Sequence, residues 1–205
     1  MEELISVLRI NARERHIPVM EDEPARLLAK VVAERQPQRI LEIGTAIGYS
    51  GLIMLNSARW AKLTTIEIDA DRMEEAKRNF EKAGVNERVR CIEDDANLVV
   101  SLMDGQYDFI LLDGPKGHYH TMFTHLLRLL SRDGMIFIDD ILYQGFIVGE
   151  NYPAHKHRTI ITNIRYFLKQ IAADDRLDTQ LHTAGDGVML VKYKENNYGT
   201  IGSSR

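Results

Sequence analysis

One stretch of the chain, RILEIGTAIGYS at residues 39–50, carries most of the information about its fold. Its first five residues form a short, mainly apolar run that ends directly at Gly44, and Gly48 follows four positions later. Runs of this kind are typical of strands buried on both faces of a parallel sheet. A glycine next to such a strand lets the backbone turn tightly into a following helix. The stretch therefore predicts the first strand and the first strand-to-helix turn of an α/β fold.

Similar runs recur along the chain and alternate with helical patterns. Four further strands are predicted, at residues 63–68, 89–92, 109–112 and 135–138. Helices are predicted at residues 1–11, 23–35 and 158–173, and residues 71–74 resemble the capping box of another helix. Two last runs, at residues 177–182 and 188–193, flank a glycine-containing turn and predict an antiparallel hairpin. The pattern predicts a Rossmann-like three-layer α/β sandwich with a seven-stranded, mostly parallel sheet that ends in this hairpin.

The composition is that of one domain of ordinary size. Of the 205 residues, 44% are apolar and 27% are charged. We expect one domain over residues 1–194, with N-terminal helices in 1–36 and a flexible tail at 195–205. No apolar run approaches the ~20 residues of a membrane span, and acids follow the first methionine, so we expect a cytoplasmic protein with no membrane partner. The single cysteine excludes a disulfide framework, and the net charge of −4 gives no overall attraction to nucleic acid.

Three predicted strand ends indicate the ligand. The loop after the first strand has the spacing Gly-x-x-x-Gly, unlike dinucleotide-binding loops, and no Lys-Ser or Lys-Thr pair follows it. Such a loop suits a nucleoside without phosphates. Glu67, at the end of the second strand, stands 23 residues after Gly44, where a carboxylate can accept hydrogen bonds from ribose hydroxyls. Asp95 and Ala96 follow the third strand, in reach of an adenine edge. Together these residues predict a site for S-adenosylmethionine.

Four motifs resemble those of one enzyme family. They are LEIGTAIGYSGL at residues 41–52, TIEID at 65–69, LLDGPKGHY at 111–119 and IFIDDIL at 136–142. In these motifs the chain resembles the metal-dependent O-methyltransferases of the catechol and caffeoyl-CoA type, over about residues 15–193. The resemblance implies a homodimeric enzyme that moves a methyl group from S-adenosylmethionine to a hydroxyl group.

The resemblance also assigns residues to the site. Those that would bind the cofactor are Met20, Glu42, Gly44, Ala46, Gly48, Ser50, Glu67, Ile68, Asp95, Ala96 and Asp113. Asp113, Asp139 and Asp140, at the ends of the fourth and fifth strands, would hold a metal ion. Carboxylates packed together need a cation between them, and oxygen ligands favour Mg²⁺, with Mn²⁺ or Ca²⁺ as alternatives. The chain departs from the family at Asp140, where Asn is common, and the extra charge would make the site more negative.

Lys116 matches the general base of the family. It lies three residues after Asp113 in the sequence. A metal ion and a sulfonium nearby would lower the pKa of its ammonium group and favour the neutral amine that can accept a proton. The resemblance therefore implies that Lys116 removes the proton from the acceptor hydroxyl.

Two acceptors stay open. Within the family, RHIPVMEDE at residues 15–23 and LYQGFIVGENYPAHKHR at 142–158 are most similar to the bacterial tRNA 5-hydroxyuridine methyltransferases. That similarity implies the 5-hydroxyl of a wobble uridine in the tRNA anticodon, with Arg158 and Tyr143 as substrate contacts. The O5 and O4 atoms of this base are adjacent, as are the two oxygens of a catechol. A metal site alone therefore also permits a small catechol-like phenol as the acceptor.

The segment at residues 154–173 bears on this choice. It contains four Lys or Arg residues, two His and no acid, and Arg158, Arg165 and Lys169 share one helix face. Such a face can bind phosphates without reading sequence, but the pattern is equally consistent with an ordinary solvated helix face. A protein that kept the S-adenosylmethionine fold and lost the chemistry is a further alternative. The presence of Lys116 with all three aspartates disfavours it.

Overall fold

The computed structural model describes residues 1–114, 116–143, 145, 147 and 155–195. Except for residue 195, the predicted flexible tail lies outside the described residues. Seven strands form one sheet, with β1 at Arg39–Ile43, β2 at Lys62–Glu67, β3 at Val89–Glu93, β4 at Tyr107–Leu112, β5 at Leu130–Ile138, β6 at Leu177–His182 and β7 at Val188–Tyr193. The strand order is β3-β2-β1-β4-β5-β7-β6. Strand β7 lies antiparallel to both β5 and β6, and the other described strand pairs are parallel, so the predicted Rossmann-like sheet with a C-terminal hairpin is confirmed.

Helices cover both faces of this sheet. They are α1 at Glu2–Glu14, α2 at Asp22–Arg35, α3 at Tyr49–Ser57, α4 at Ala70–Lys82, α5 at Ala96–Leu102, α6 at Tyr119–Leu129 and α7 at His155–Ala173. The first four contribute to one apolar core, through residues such as Leu28 and Phe80, and the last three contribute to the other, through residues such as Phe123 and Phe167. None of the described helices is long and apolar enough to cross a membrane.

Two local predictions differ from the structure. Strand β5 begins at Leu130 and not at residue 135, because Leu130 pairs with Tyr107 of β4 before an irregularity in the register that ends at the pair Phe109–Met135. Helix α4 is capped by Asp69, whose carboxylate accepts a hydrogen bond from the Arg72 amide at 3.1 Å, so the capping box predicted at residues 71–74 is wrong. At β5, a pairing with a distant part of the chain decides where the strand begins. At α4, the capping residue lies two positions before the predicted one.

The sheet brings four strand ends to one edge. Strand β1 pairs with β2 on one side and β4 on the other, and the chain leaves each of these strands at its carboxyl end in the same direction. The amide of Asp113 donates to the carbonyl of Ile43 at 3.0 Å, and the amide of Asp139 donates to that of Leu112 at 3.1 Å. In open α/β sheets the crevice at such a switch point is where ligands bind.

Candidate active site

A cavity of about 870 Å³ opens at this switch point. Most of the predicted site residues line it, namely Met20, Gly44, Ala46, Ser50, Glu67, Ile68, Asp95, Ala96, Asp113, Lys116, Asp139 and Asp140. The loops that follow β1, β2, β3, β4 and β5 all contribute to its wall. Residues far apart in the sequence therefore meet in a space large enough for a nucleoside and a second small molecule.

The loop after β1 depends on a glycine at its first position. Gly44 has a φ of +95°, and its amide donates to the carbonyl of Ile66 at 3.0 Å. A Cβ added there would overlap the carbonyl oxygen of Asp113 and lie 2.9 Å from the carbonyl carbon. The absent side chain is thus what lets the β1 and β4 loops touch. Gly48 lies outside the cavity wall, at the start of α3, where a Cβ would lie 3.0 Å from the Phe80 ring.

Glu67 is fixed by the backbone around it. One carboxylate oxygen accepts from the amide of Ala46 at 2.9 Å, and the other accepts from the amides of Ile68 and Asp69 at 3.0 and 3.1 Å. The side chain joins the β1 loop to the β2 loop and faces the cavity. A carboxylate has about four acceptor sites and three are used, so the oxygen that accepts from Ala46 can still accept one hydrogen bond from a ligand.

The far end of the cavity combines polar and apolar groups. Asp95 caps α5 by accepting from the amide of Asn97 at 2.8 Å, which orients the start of that helix toward the cavity. Ile68 is 69% exposed, an unusual state for so large an apolar side chain, whereas Met20 on the opposite segment is buried. This end of the cavity therefore has polar groups that can bind the edge of a heterocyclic base and an apolar side chain that can cover its face.

Glu42 lies beneath the cavity and not in its wall. It is fully buried, and its carboxylate accepts hydrogen bonds from the hydroxyls of Ser50 and Thr65, both at 2.6 Å. Because the Thr65 hydroxyl donates to Glu42, the Thr45 hydroxyl must donate to Thr65 across their 2.5 Å contact. Burial raises the pKa of Glu42 to about 7, although the two hydroxyls act in the opposite direction. Glu42 was predicted to contact the cofactor, but its side chain does not reach the cavity wall. Its hydrogen bonds instead hold Ser50 and Thr65 in place beneath the cavity.

The raised pKa of Glu42 makes stability depend on pH. The folded state binds this proton more tightly than the unfolded state, so stability falls as the pH rises from about 4.5 to about 7. The full effect is about 3 kcal/mol, and Glu42→Gln should remove it. Chemical denaturation of both proteins at pH 5 and pH 8 measures the difference.

Exposed Glu34 supplies the control for this experiment. Glu34→Gln should track the wild-type pH dependence, since the Glu34 side chain is 64% exposed. Asp113 and Asp139 remain in all three proteins, so their titration is common to the comparison apart from the charge of Glu42, which raises the pKa of Asp113. An unchanged pH dependence in Glu42→Gln would contradict the assignment.

Three aspartates and a lysine lie at the other end of the cavity. The Lys116 ammonium nitrogen lies 2.9 Å from a carboxylate oxygen of Asp140, a residue whose φ is +54°. Asp139 is buried, and one of its carboxylate oxygens accepts from the amide of Asp140 at 2.9 Å. Burial first, and then the neighbouring carboxylates, raise the pKa values of Asp113 and Asp139. The cluster therefore disfavours full ionisation unless a positive charge is nearby.

Lys116 is the positive charge that the chain itself supplies. Burial lowers the pKa of its ammonium group, but Asp113, Asp140 and Asp139 together outweigh burial and raise it. The sequence analysis expected a lowered pKa for Lys116 because it included a nearby metal ion and sulfonium. In the protein alone, the surrounding aspartates raise the Lys116 pKa instead.

The aspartate cluster fits a metal ion in its chemistry more than in its geometry. Among the residues that the structure describes, no three His, Cys, Asp or Glu side chains form a group ready to hold one. Asp140 is paired with Lys116, which leaves Asp113 and Asp139 as the two carboxylates that share a need for positive charge. The carboxylate oxygens of the aspartates are the ligands that a hard divalent cation prefers. Without such a cation, the three carboxylates are not arranged around one common point.

The two predicted substrate residues lie outside the cavity wall. The Tyr143 hydroxyl is 2.8 Å from Nδ1 of His157. The backbone of Tyr143 has a φ of +46°. Arg158 is exposed on α7.

Other cavity residues had no role in the sequence-based prediction. Among them are Thr45, Tyr49, Arg72, Asn97 and His118. Thr45, Tyr49 and His118 lie within motifs that the sequence analysis recognised, and their place in those motifs was the available signal. Tyr49 is also tied to the N-terminal helices, because Arg9 donates to its hydroxyl oxygen at 3.2 Å.

The fold and the cavity together define a class of protein. A sheet in this order, with a glycine loop after β1 and acidic side chains after β2 and β3, is that of the Rossmann-like methyltransferases. The chain belongs to the O-methyltransferase family, whose model matches residues 1–194. The predicted class, an S-adenosylmethionine-dependent O-methyltransferase of the caffeoyl-CoA type, is thereby confirmed.

Similar proteins agree with this assignment. A caffeoyl-CoA O-methyltransferase of Populus kitakamiensis is 28% identical over 184 residues, covering 86% of this chain and 77% of the relative. The tapetum-specific methyltransferase 1 of Arabidopsis thaliana is 28% identical over 188 residues, covering 89% and 79%. The SAH-bound crystal structure of the Podospora anserina methyltransferase PaMTH1 superposes with a TM-score of 0.81 at 26% identity, covering 94% of this chain and 87% of that one. The similarity to tRNA-modifying enzymes stays a prediction.

Proposed function

We propose that this O-methyltransferase acts on a hydroxyl that has a second oxygen beside it, and that its acceptor is the 5-hydroxyl of wobble 5-hydroxyuridine in tRNA. The observation that carries the proposal is the placement of Lys116 and Asp113 in the same cavity as Glu67. A proton acceptor, a carboxylate pair and a ribose-binding carboxylate then line one space. This is the set that methyl transfer from a nucleoside donor to an oxygen requires.

The donor would lie across the carboxyl ends of β1, β2 and β3. Glu67, already fixed by three backbone amides, would accept a hydrogen bond from a ribose hydroxyl. Asp95 and Ala96 would contact the adenine, and Ile68 would cover one of its faces. The SAH-bound relative supports a donor of this type.

A divalent cation, Mg²⁺ first among the alternatives, would be held by Asp113, Asp139 and Asp140. When bound, such an ion lowers the pKa of an acceptor hydroxyl and fixes its orientation. The Asp140 carboxylate already forms an ion pair with Lys116, so it would contact both the cation and the Lys116 ammonium group.

The chain's own residues account for the remaining steps. With the donor sulfonium and a bound cation lowering the pKa of its ammonium group, Lys116 would take the proton from the acceptor oxygen as a neutral amine, and that oxygen forms a bond to the methyl carbon. The carbon–sulfur bond breaks as the sulfonium becomes a neutral thioether. Holding both reactants in line within one cavity can supply about 7–11 kcal/mol of the barrier.

Two observations bear on the choice of acceptor. Exposed Arg158 and Lys169 place positive charge on α7, which supports a phosphate-bearing acceptor such as tRNA. A small catechol-like phenol is the second candidate, because relatives are named as caffeoyl-CoA O-methyltransferases. A homodimer, which remains our expectation, would present two such helices.

The deciding experiment offers both acceptors to the enzyme. Undermodified tRNA and a panel of catechols are incubated separately with the donor and Mg²⁺, and the products are analysed by mass spectrometry. We expect methylated 5-hydroxyuridine in the tRNA digest and loss of that product in excess chelator. Methylated catechols with unmodified tRNA would contradict the tRNA acceptor, and full turnover in chelator would contradict the metal.

Asp140→Asn tests the third ligand. Asn keeps one oxygen that can coordinate a cation but loses the charge that pairs with Lys116. We expect the variant to bind Mn²⁺, measured by electron paramagnetic resonance, and to keep metal-dependent turnover. Asp104→Asn is the matched control, since the Asp104 side chain is fully exposed. Complete loss of metal-dependent activity in Asp140→Asn alone would remove Asp140 from the ligand set.

A further inference from the structure

Charge is distributed unevenly between the two helical layers. The sequence has 30 Asp and Glu residues, yet α6 and α7 contain none. The Lys and Arg residues of these two helices are Arg128, Lys156, Arg158, Arg165 and Lys169. On the opposite face of the sheet, α1, α2 and α4 each carry both signs of charge. The α6–α7 side of an acidic protein is therefore basic.

Not every basic side chain there is available to a partner. Arg128 lies 3.5 Å from Asp104 and donates to the carbonyl of Val100, so its charge is compensated within the chain. Arg158 and Lys169 are exposed, and eleven residues of α7 separate them by about 16 Å. That distance spans several phosphates of an extended nucleic-acid strand.

An exposed aromatic ring lies beside these two charges. Tyr166 is 53% exposed and stands one helical turn before Lys169. The ring of His120 on α6 meets it edge-on, with the ring centroids 5.9 Å apart. Tyr166 is thus held by a neighbour while a large part of its surface stays open to a partner.

The helix that carries this surface contacts a loop of the cavity wall. The side-chain amide of Asn163 on α7 donates to the carbonyl of Gly117 at 2.9 Å. Gly117 lies between Lys116 and His118, which both line the cavity. Helix α7 therefore contacts the loop that carries Lys116, and the surface that Arg158, Tyr166 and Lys169 form on this helix is hereafter called the α7 face.

We propose that the α7 face binds the single-stranded RNA next to the target nucleoside, with phosphates on Arg158 and Lys169 and a flanking base stacked on Tyr166. The proposal rests on the tRNA acceptor proposed above and names the surface that recognises it. Proteins bind single-stranded RNA by combining a basic track with aromatic rings on which bases stack. A small phenol would use the cavity alone.

The test measures the affinity for a labelled anticodon stem-loop by fluorescence anisotropy. Three variants are compared with the wild-type protein: Arg158→Glu with Lys169→Glu, Tyr166→Ala, and the control Lys62→Glu with Lys82→Glu. Lys62 and Lys82 are exposed on β2 and α4, away from the α7 face. Binding of S-adenosylmethionine by calorimetry reports whether the active site is intact.

The expected results separate charge from stacking. Reversing both charges should weaken RNA binding at least about tenfold and reduce the slope of log K against log salt by about 2. Tyr166→Ala should weaken RNA binding about 5- to 100-fold but leave binding of polyphosphate, which has no bases, unchanged. The control should bind RNA like the wild type, and all the proteins should bind the donor within about twofold of one another.

Other outcomes would overturn the proposal in distinguishable ways. If both α7 variants bind the stem-loop like the wild type while tRNA is still methylated, RNA binds elsewhere and only the α7 face is wrong. If Tyr166→Ala has no effect and the charge reversal weakens RNA and polyphosphate equally, the face is a general anion surface. If the wild type binds no stem-loop and methylates only catechols, the acceptor and the α7 face both fail.

Discussion

Lys116→Ala should lower turnover by about 10²- to 10⁴-fold, the range that positioned general bases contribute. Lys116 is the basic side chain beside Asp113, Asp139 and Asp140 in the cavity wall, and its ammonium nitrogen lies 2.9 Å from Asp140. The truncation removes the group that accepts the proton but leaves the β1 and β2 loops untouched. Binding of S-adenosylmethionine should therefore stay within about twofold of wild type.

The comparison needs a lysine that is not in the cavity. Lys77→Ala removes an amine from the outer face of α4, where Lys77 lies 3.7 Å from Glu74. Its turnover should match that of the wild type. Single-turnover methyl transfer under saturating donor isolates the chemical step. A Lys116→Ala enzyme with unchanged single-turnover rate would exclude Lys116 from the reaction.

Gly44→Ala is expected to damage both the fold and donor binding. The added Cβ would overlap the carbonyl oxygen of Asp113, and a φ of +95° disfavours any side chain. Strain and overpacking together predict a loss of about 2–5 kcal/mol in the free energy of unfolding. Because relief requires the β1 and β4 loops to separate, donor affinity should fall by about a hundredfold or more, equivalent to about 3 kcal/mol.

A second glycine provides the matched control. Gly84, after α4, also has a positive φ, +67°, but a Cβ there would meet nothing within 4 Å. Gly84→Ala should therefore lose only the backbone term, about 1–2 kcal/mol, with donor binding unchanged. Urea denaturation and calorimetry measure the two quantities. Equal effects of the two substitutions on donor binding would show that the contact between the β1 and β4 loops is unimportant.

Much of the fold could be predicted from local patterns. The bounds of β1, β6 and β7 agree with the predicted runs at residues 39–43, 177–182 and 188–193, because these strands are marked by apolar residues and flanked by turn signals. The start of β5 could not be predicted in this way. Residues 131–134, Ser-Arg-Asp-Gly, have the composition of a loop, and they lie in an irregularity of the register between the pairs Tyr107–Leu130 and Phe109–Met135.

The site was predictable in outline for a topological reason. Parallel strands release their loops at one edge, so residues that follow β1, β2, β4 and β5 had to meet. The partners of individual side chains had no such signal. Whether Glu42 points to the ligand or beneath it depends on Ser50 and Thr65, and the pairing of Lys116 with Asp140 depends on a backbone φ of +54°. These are properties of the assembled loops.

The fixed carboxylate of Glu67 has a consequence for the catalytic cycle. Because three backbone amides hold it before any ligand arrives, little conformational freedom is lost when a ribose binds. The ribose is identical in S-adenosylmethionine and in S-adenosylhomocysteine, which remains after the methyl group has left. This contact would retain the spent donor as firmly as the fresh one. We therefore expect product inhibition, and sustained turnover would depend on another enzyme that removes S-adenosylhomocysteine.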